Sequence, residues 1–144
     1  MSVDKRFVVL IVDDDADDVF LARAAAQQAG IPVELISVEN GDELYGILNQ
    51  KGRDEGVRRP DLILLDLNMP VIDGRQVLQE LKQPDGEFRS IPIVVHTTSG
   101  SPDDVKFCYE AGANSYLVKS ADFNQLKSAM DNLLKYWFVT VYHP

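Results

Sequence analysis

Polar residues able to do chemistry stand in this sequence where apolar runs end. Phe7-Val8-Val9-Leu10-Ile11-Val12 stops at Asp13-Asp14-Asp15, and Leu62-Ile63-Leu64-Leu65 stops at Asp66. Ile91-Pro92-Ile93-Val94-Val95 stops at His96-Thr97, and Tyr116-Leu117-Val118 stops at Lys119. A carboxylate against a buried run is costly unless it is ionised beside a partner or a metal. Converging carboxylates repel one another, and a hard divalent cation relieves them. Mg²⁺ takes an all-oxygen set of one or two carboxylates, a carbonyl and waters. An ammonium such as that of Lys119 offers a point charge to phosphoryl oxygens, and the Thr97 hydroxyl can donate to the same group. Brought together, these groups make a phosphoryl-accepting site in which Asp66 is the nucleophile of an in-line displacement.

Such convergence requires particular elements. The four apolar runs, with Val33 to Val38, read as five strands; Leu62 to Asp66, without polar alternation, reads as buried on both faces. Between them lie helical stretches. The first runs from about Ala16 to Ala29, with Val19, Phe20, Ala24 and Gln27 tracing a face, and is closed by Gly30 and Pro32. Others run from Asp42 to Gln50, from Gly74 to Gln83 and from Pro102 to Gly112. A last helix carries Phe123, Leu126, Met130, Leu133, Leu134 and Trp137. Lys51 to Pro60 reads as an exposed loop, and Pro84-Asp85-Gly86 as a helix breaker. Alternating strands and helices imply an α/β fold: a doubly wound (βα)5 domain with a five-stranded parallel sheet. The flavodoxin-like order 2-1-3-4-5 is expected, with the polar strand ends on one edge and the first and third strands at the switch point.

The residues carry a family resemblance. Val-Asp-Asp ending at Asp14, Asp-Leu-Asn-Met-Pro from Asp66 with Asp73-Gly74 beyond, Thr97, and Tyr-Leu-Val-Lys ending at Lys119 occur in order and spacing. Together they resemble the CheY-like receiver domain, the phosphoacceptor module of two-component response regulators. Phytochrome-partner single-domain regulators look most similar, through loop insertions at 51–59 and 84–90 and a Trp-containing tail. The resemblance spans about residues 6 to 136 and implies a receiver over 1–137 with an apolar tail, 138–144. It implies that Asp66 is phosphorylated by a histidine kinase and that Asp14, Asp66 and the Asn68 backbone carbonyl ligate Mg²⁺, with Asp13 acting through water. It implies further that Lys119 pairs with the phosphoryl group, that Thr97 swings toward it, and that Tyr116 turns inward in response. One residue departs from the pattern: Ser120 follows Lys119 where the family usually has Pro, so a trans bond or a rearranged loop is expected there.

Other residues read more plainly. Asp15 suits a helix cap, Met69 suits packing, and His96 suits a structural neighbour of the site. Tyr116, taken alone, suits a core. The single cysteine, Cys108, suits a small apolar helix position and excludes an internal disulfide. His143 is expected in solvent. The apolar tail, Trp137, Phe138, Val139, Val141 and Tyr142, either folds back on its own domain or forms a homodimer contact, and the dimer is the favoured expectation.

A net charge of −9 argues against nucleic acid as a partner. No apolar run is long enough to span a bilayer, and Met1 to Arg6 lack a signal-peptide layout, so a cytoplasmic protein off the membrane is expected. Output is expected through a downstream protein target, by partner binding or onward phosphotransfer in a phosphorelay, without turnover of a metabolite. Two other readings stay open. One is a phosphorylation-independent interaction module. The other is a Mg²⁺-dependent phosphohydrolase with an Asp nucleophile, against which Asn68 counts, because such enzymes commonly carry a second Asp at that position.

Overall fold

The computed structural model describes residues 6–49 and 59–142. Five strands alternate with five helices in chain order: β1 Phe7–Val12, α1 Ala16–Gln27, β2 Val33–Val38, α2 Gly41–Leu48, β3 Leu62–Leu65, α3 Gly74–Leu81, β4 Ile93–Thr97, α4 Pro102–Ala111, β5 Ser115–Val118 and α5 Phe123–Lys135. All pairings are parallel, in the order β2-β1-β3-β4-β5. The flavodoxin-like expectation holds.

The sheet divides two cores, because successive strand side chains face opposite ways. Leu10, Val12, Ile63, Leu65, Ile93 and Val95 pack with α2, α3 and Cys108 of α4. Val9, Ile11, Leu62, Leu64 and Val94 pack with α1 and α5 on the other face. Every residue of β3 is buried, as expected of a central strand covered on both sides.

The elements begin and end where local chemistry dictates. Asp15, Asn40, Asp73, Ser101 and Asp122 each cap the helix that follows by accepting from its first N–H groups. Gly112, at φ +112°, ends α4 in the left-handed region that favours glycine. Lys82 Nζ donates to the carbonyls of Arg89 and Ile91, at 2.9 Å each, and so pins the turns between α3 and β4.

Several expectations need correction. The buried face of α1 is Ala22, Ala25 and Ala26, with Val19 partly covered, whereas Phe20 is exposed and so is Gln27. Small side chains let α1 lie close to α5 and β2, and Phe20 stays outside that packing. Asp66 follows β3 rather than ending it, while β4 runs through His96 to Thr97. After α5 the chain adds a five-residue π turn, Tyr136–Thr140. The Gln50 end of α2, most of the expected loop Lys51 to Pro60, and His143 lie outside the described residues.

The apolar tail is divided. Phe138 is buried and stacks on Phe7, with ring centroids 4.3 Å apart, and Trp137 packs against the α1–α5 core. Phe138 is therefore bound to its own domain and is not a free interface residue. Val139 and Tyr142 are exposed, and Val141 is half-buried. Among the described residues no helix is long and apolar enough to cross a membrane.

Candidate functional site

The parallel sheet carries the polar strand ends to one edge and holds them through its own ladder. Asp13 N–H donates to the Val38 carbonyl at 3.0 Å, Asp66 N–H to that of Val12 at 3.0 Å, and Lys119 N–H to that of Thr97 at 2.7 Å. Each residue is thus one rung past its strand, fixed by backbone bonds while its side chain leaves the sheet. Gly74 brings the start of α3 against this edge. A Cβ there would run into the carbonyl oxygen of Asp66 and the Cα of Leu67, so only glycine allows the approach.

At this edge Asp13, Asp14 and Asp66 each offer a carboxylate oxygen, all within 4.8 Å of one another. Asp13 and Asp66 are buried and Asp14 is half-buried. An all-oxygen, mainly carboxylate set at this spacing fits a hard divalent cation. Asp13 Oδ1 also accepts from Asp15 N–H at 2.9 Å, which fixes the start of α1. Burial pushes the Asp13 carboxyl up from its ordinary range, and the hydrogen bond from Lys119 opposes that rise.

The Lys119 ammonium reaches across the set. Its Nζ lies 2.8 Å from Asp13 Oδ2, 2.8 Å from Asp18 Oδ2 and 3.3 Å from Asp66 Oδ2. Burial alone would lower the pKa of this ammonium; its hydrogen bonds to Asp13 and Asp18 more than offset that and hold it charged. Asp18 lies outside the strand-end pattern of the sequence. It sits inside α1 rather than at a strand end, and its one signal is a place three residues after the Asp15 cap, on the first helical turn.

Thr97 is fully buried, and its hydroxyl accepts from Asn68 Nδ2 at 3.4 Å; Asn68 N–H donates to Asp66 Oδ1 at 3.3 Å. Tyr116 stands farther off, half-buried, with its hydroxyl donating to the Ser99 carbonyl at 2.8 Å. Ser99 Oγ in turn donates to Asp104 Oδ2 at 2.6 Å, and Arg75 donates to Asp104 Oδ1 at 2.7 and 3.2 Å. A chain of side chains therefore links the β4–α4 loop to Tyr116 and to the start of α3. His96, behind the pocket, is pushed down to about 4, first by burial and then by the Lys119 charge. Its neutral form is thereby favoured.

With Ser120 after it, Lys119 still reaches Asp13 and Asp66. Cis peptide bonds are absent among the described residues, and Ser120 Oγ instead donates to Gln125 Oε1 at 2.7 Å and accepts from Asp122 N–H at 3.1 Å. These bonds join the loop to the start of α5.

This arrangement can be set beside known proteins. The model of the response regulator receiver domain matches residues 9–131. The chain belongs to that family. The receiver is 40% identical over 137 residues to the response regulator Rcp1 of Synechocystis, spanning 95% of this chain and 92% of that protein. It also resembles the phosphorylated cyanobacterial phytochrome response regulator RcpA, with a TM-score of 0.86 and 36% identity over 97% of this chain and 99% of that one. The Mn²⁺-bound form of Rcp1 superposes with a TM-score of 0.82 at 40% identity, covering 96% of this receiver and 99% of Rcp1. The resemblance read from the strand-end motifs is thereby established for the family, and the similar proteins include a phytochrome response regulator.

Proposed function

We propose that this receiver accepts a phosphoryl group from a histidine kinase on Asp66. The observation that carries the reading is the meeting of a buried Asp66 with the Asp13–Asp14 pair and the Lys119 ammonium at one sheet edge. Asp66 would attack phosphorus in line, forming the acyl phosphate as the kinase histidine leaves. Lys119, already 3.3 Å from Asp66 Oδ2, would pair with an incoming phosphoryl oxygen. The Thr97 hydroxyl would exchange its contact with Asn68 for another phosphoryl oxygen. Asp14, Asp66 and the Asn68 carbonyl would hold Mg²⁺ directly, with Asp13 acting through water; the ion would neutralise charge on the transferring group. A change at Thr97 would pass through Ser99 to Tyr116, altering the surface of α4 and β5.

The likeness to Rcp1 and RcpA supports a phytochrome-type kinase as the source of the phosphoryl group. The exposed Val139 and Tyr142, with Trp137 and Val141, support a homodimer contact for which Phe138 serves as an internal anchor. We place the protein in the cytoplasm, signalling to a downstream protein without turning over a metabolite.

The test is the intact-protein mass after incubation with acetyl phosphate, with and without Mg²⁺, for wild type and Asp66→Asn. A single phosphoryl adduct that needs both Mg²⁺ and Asp66 is expected. An adduct on Asp66→Asn equal to that on wild type overturns the assignment.

A further inference from the structure

The three protons of the Lys119 ammonium face three carboxylates, and the distances are unequal. Asp13 and Asp18 each lie at 2.8 Å, while Asp66 lies at 3.3 Å. Both short contacts are on the side of β1 and α1, and the long one is to the acceptor. Asp18 belongs to the first turn of α1, where the Asp15 cap fixes its N–H at 3.2 Å. Its side chain is 35% exposed, against 5% for Asp13 and 7% for Asp66. It is not one of the three residues whose oxygens cluster tightly enough to hold an ion. Asp18 is thus a carboxylate outside the metal set that engages the cation on which phosphoryl binding depends.

We propose that Asp18 is a positioning residue of the receiver reaction: it draws the Lys119 ammonium toward α1 and away from Asp66, and so sets how tightly the pocket holds a phosphoryl group. This rests on the reading of Asp66 as the phosphoacceptor. A phosphoryl group on Asp66 presents new anionic oxygens at the longer of the Lys119 contacts, and the ammonium must divide its donors between them and Asp18. Neutralising Asp18 removes the competitor and one negative charge, while Asp13 still anchors Lys119 at 2.8 Å. For a divalent cation the sign reverses. Asp18 takes a share of the Lys119 charge that would otherwise fall on Asp13 and Asp66 and adds negative charge nearby, so its loss weakens cation binding. A residue that merely braced the loop would weaken both ligands when lost. Opposite changes, larger than those from a neighbouring acidic residue that does not touch Lys119, are the signature of competition for Lys119.

The experiment compares wild type, Asp18→Asn and Asp17→Asn, the last an exposed acidic residue of the same turn outside the Lys119 contacts. Mg²⁺ is titrated by calorimetry, and beryllium fluoride, as a phosphoryl mimic, is then titrated at saturating Mg²⁺. Asp18→Asn is expected to bind Mg²⁺ about fivefold more weakly and beryllium fluoride about fivefold more tightly, the size of one partly exposed charge pair. Asp17→Asn is expected to stay within about twofold of wild type for both, since screening mutes an exposed charge without a close partner. Beryllium fluoride binding in Asp18→Asn equal to or weaker than wild type overturns the proposal. Wild type that fails to bind the mimic at all overturns the Asp66 reading and this inference with it, so the two failures are told apart by the wild-type titration.

Discussion

The pocket and the network beside it are built by different means. Asp13, Asp66 and Lys119 are held by backbone bonds that continue the sheet, and their side chains are 5–10% exposed. Arg75, Asp104, Ser99 and Tyr116 are joined through side-chain bonds, and the Arg75 and Asp104 side chains are 29% and 22% exposed. A backbone rung cannot exchange partners without opening the sheet, whereas a side-chain bond near solvent can do so at small cost. On the proposed function, the receiver's chemistry sits where geometry is fixed and its response where contacts can be traded. Each region can be disturbed on its own, and the size of the effect should differ.

Gly74→Ala should give the largest effect, because it strikes the fixed region at a backbone contact. The added methyl meets the Asp66 carbonyl and the Leu67 Cα, which no rotamer change can relieve. A loss of about 3 kcal/mol is expected, at the upper end for overpacking, read from urea unfolding. Because the displaced carbonyl belongs to Asp66, acetyl phosphate labelling should fall as well. A variant as stable and as readily labelled as wild type would show that this edge yields more easily than its backbone bonds imply.

His96 probes the same region through pH. Its pKa lies at about 4 in the fold against an ordinary 6.5, since burial and Lys119 disfavour the charged ring. Above about pH 6.5 the imidazole is neutral both folded and unfolded and contributes no pH dependence. Below that the unfolded chain takes up a proton first, so stability is lost as pH falls, and the loss levels off only below the folded value. Between pH 7 and pH 5 this comes to about 2 kcal/mol. His96→Gln should remove that portion of the slope in denaturant melts at the two pH values; an unchanged slope would place its source in the carboxylates.

Much of this was legible in the sequence, for reasons that also mark what was not. Unbroken apolar runs made the strands plain, and a parallel sheet leaves its strand ends on one edge, so Asp13, Asp14, Asp66, Thr97 and Lys119 could be grouped before any geometry was known. Asp18 escaped because it acts from within a helix, where an acidic residue near the N-terminus is already explained by the helix dipole. Phe20 misled because periodicity favours large apolar residues, while close packing of α1 selected Ala22, Ala25 and Ala26. The π turn at Tyr136–Thr140 could not be read locally, since it accompanies a contact between Phe138 and Phe7 at opposite ends of the chain.

The smallest effect on stability should come from the exchangeable region. The Asp104 carboxyl is pushed down from its ordinary value, by the Ser99 hydrogen bond first and Arg75 second. Its contribution is therefore present above the ordinary value of 3.8 and is lost only as pH falls through the lower folded value, so the link is fully formed at neutral pH. Asp104→Asn keeps the shape but weakens both bonds by removing their charge. Thermal stability should barely move, because the pair is open to water. Hydrogen exchange at residues 98–101 should nevertheless quicken, since Ser99 loses its charged partner while its carbonyl still holds Tyr116. Arg75→Ala should do the same more weakly, leaving the Ser99–Asp104 bond in place. If the loop exchanges at the wild-type rate in both variants, the chain from Arg75 to Tyr116 does not restrain it, and the contrast with the backbone-held pocket fails on this side.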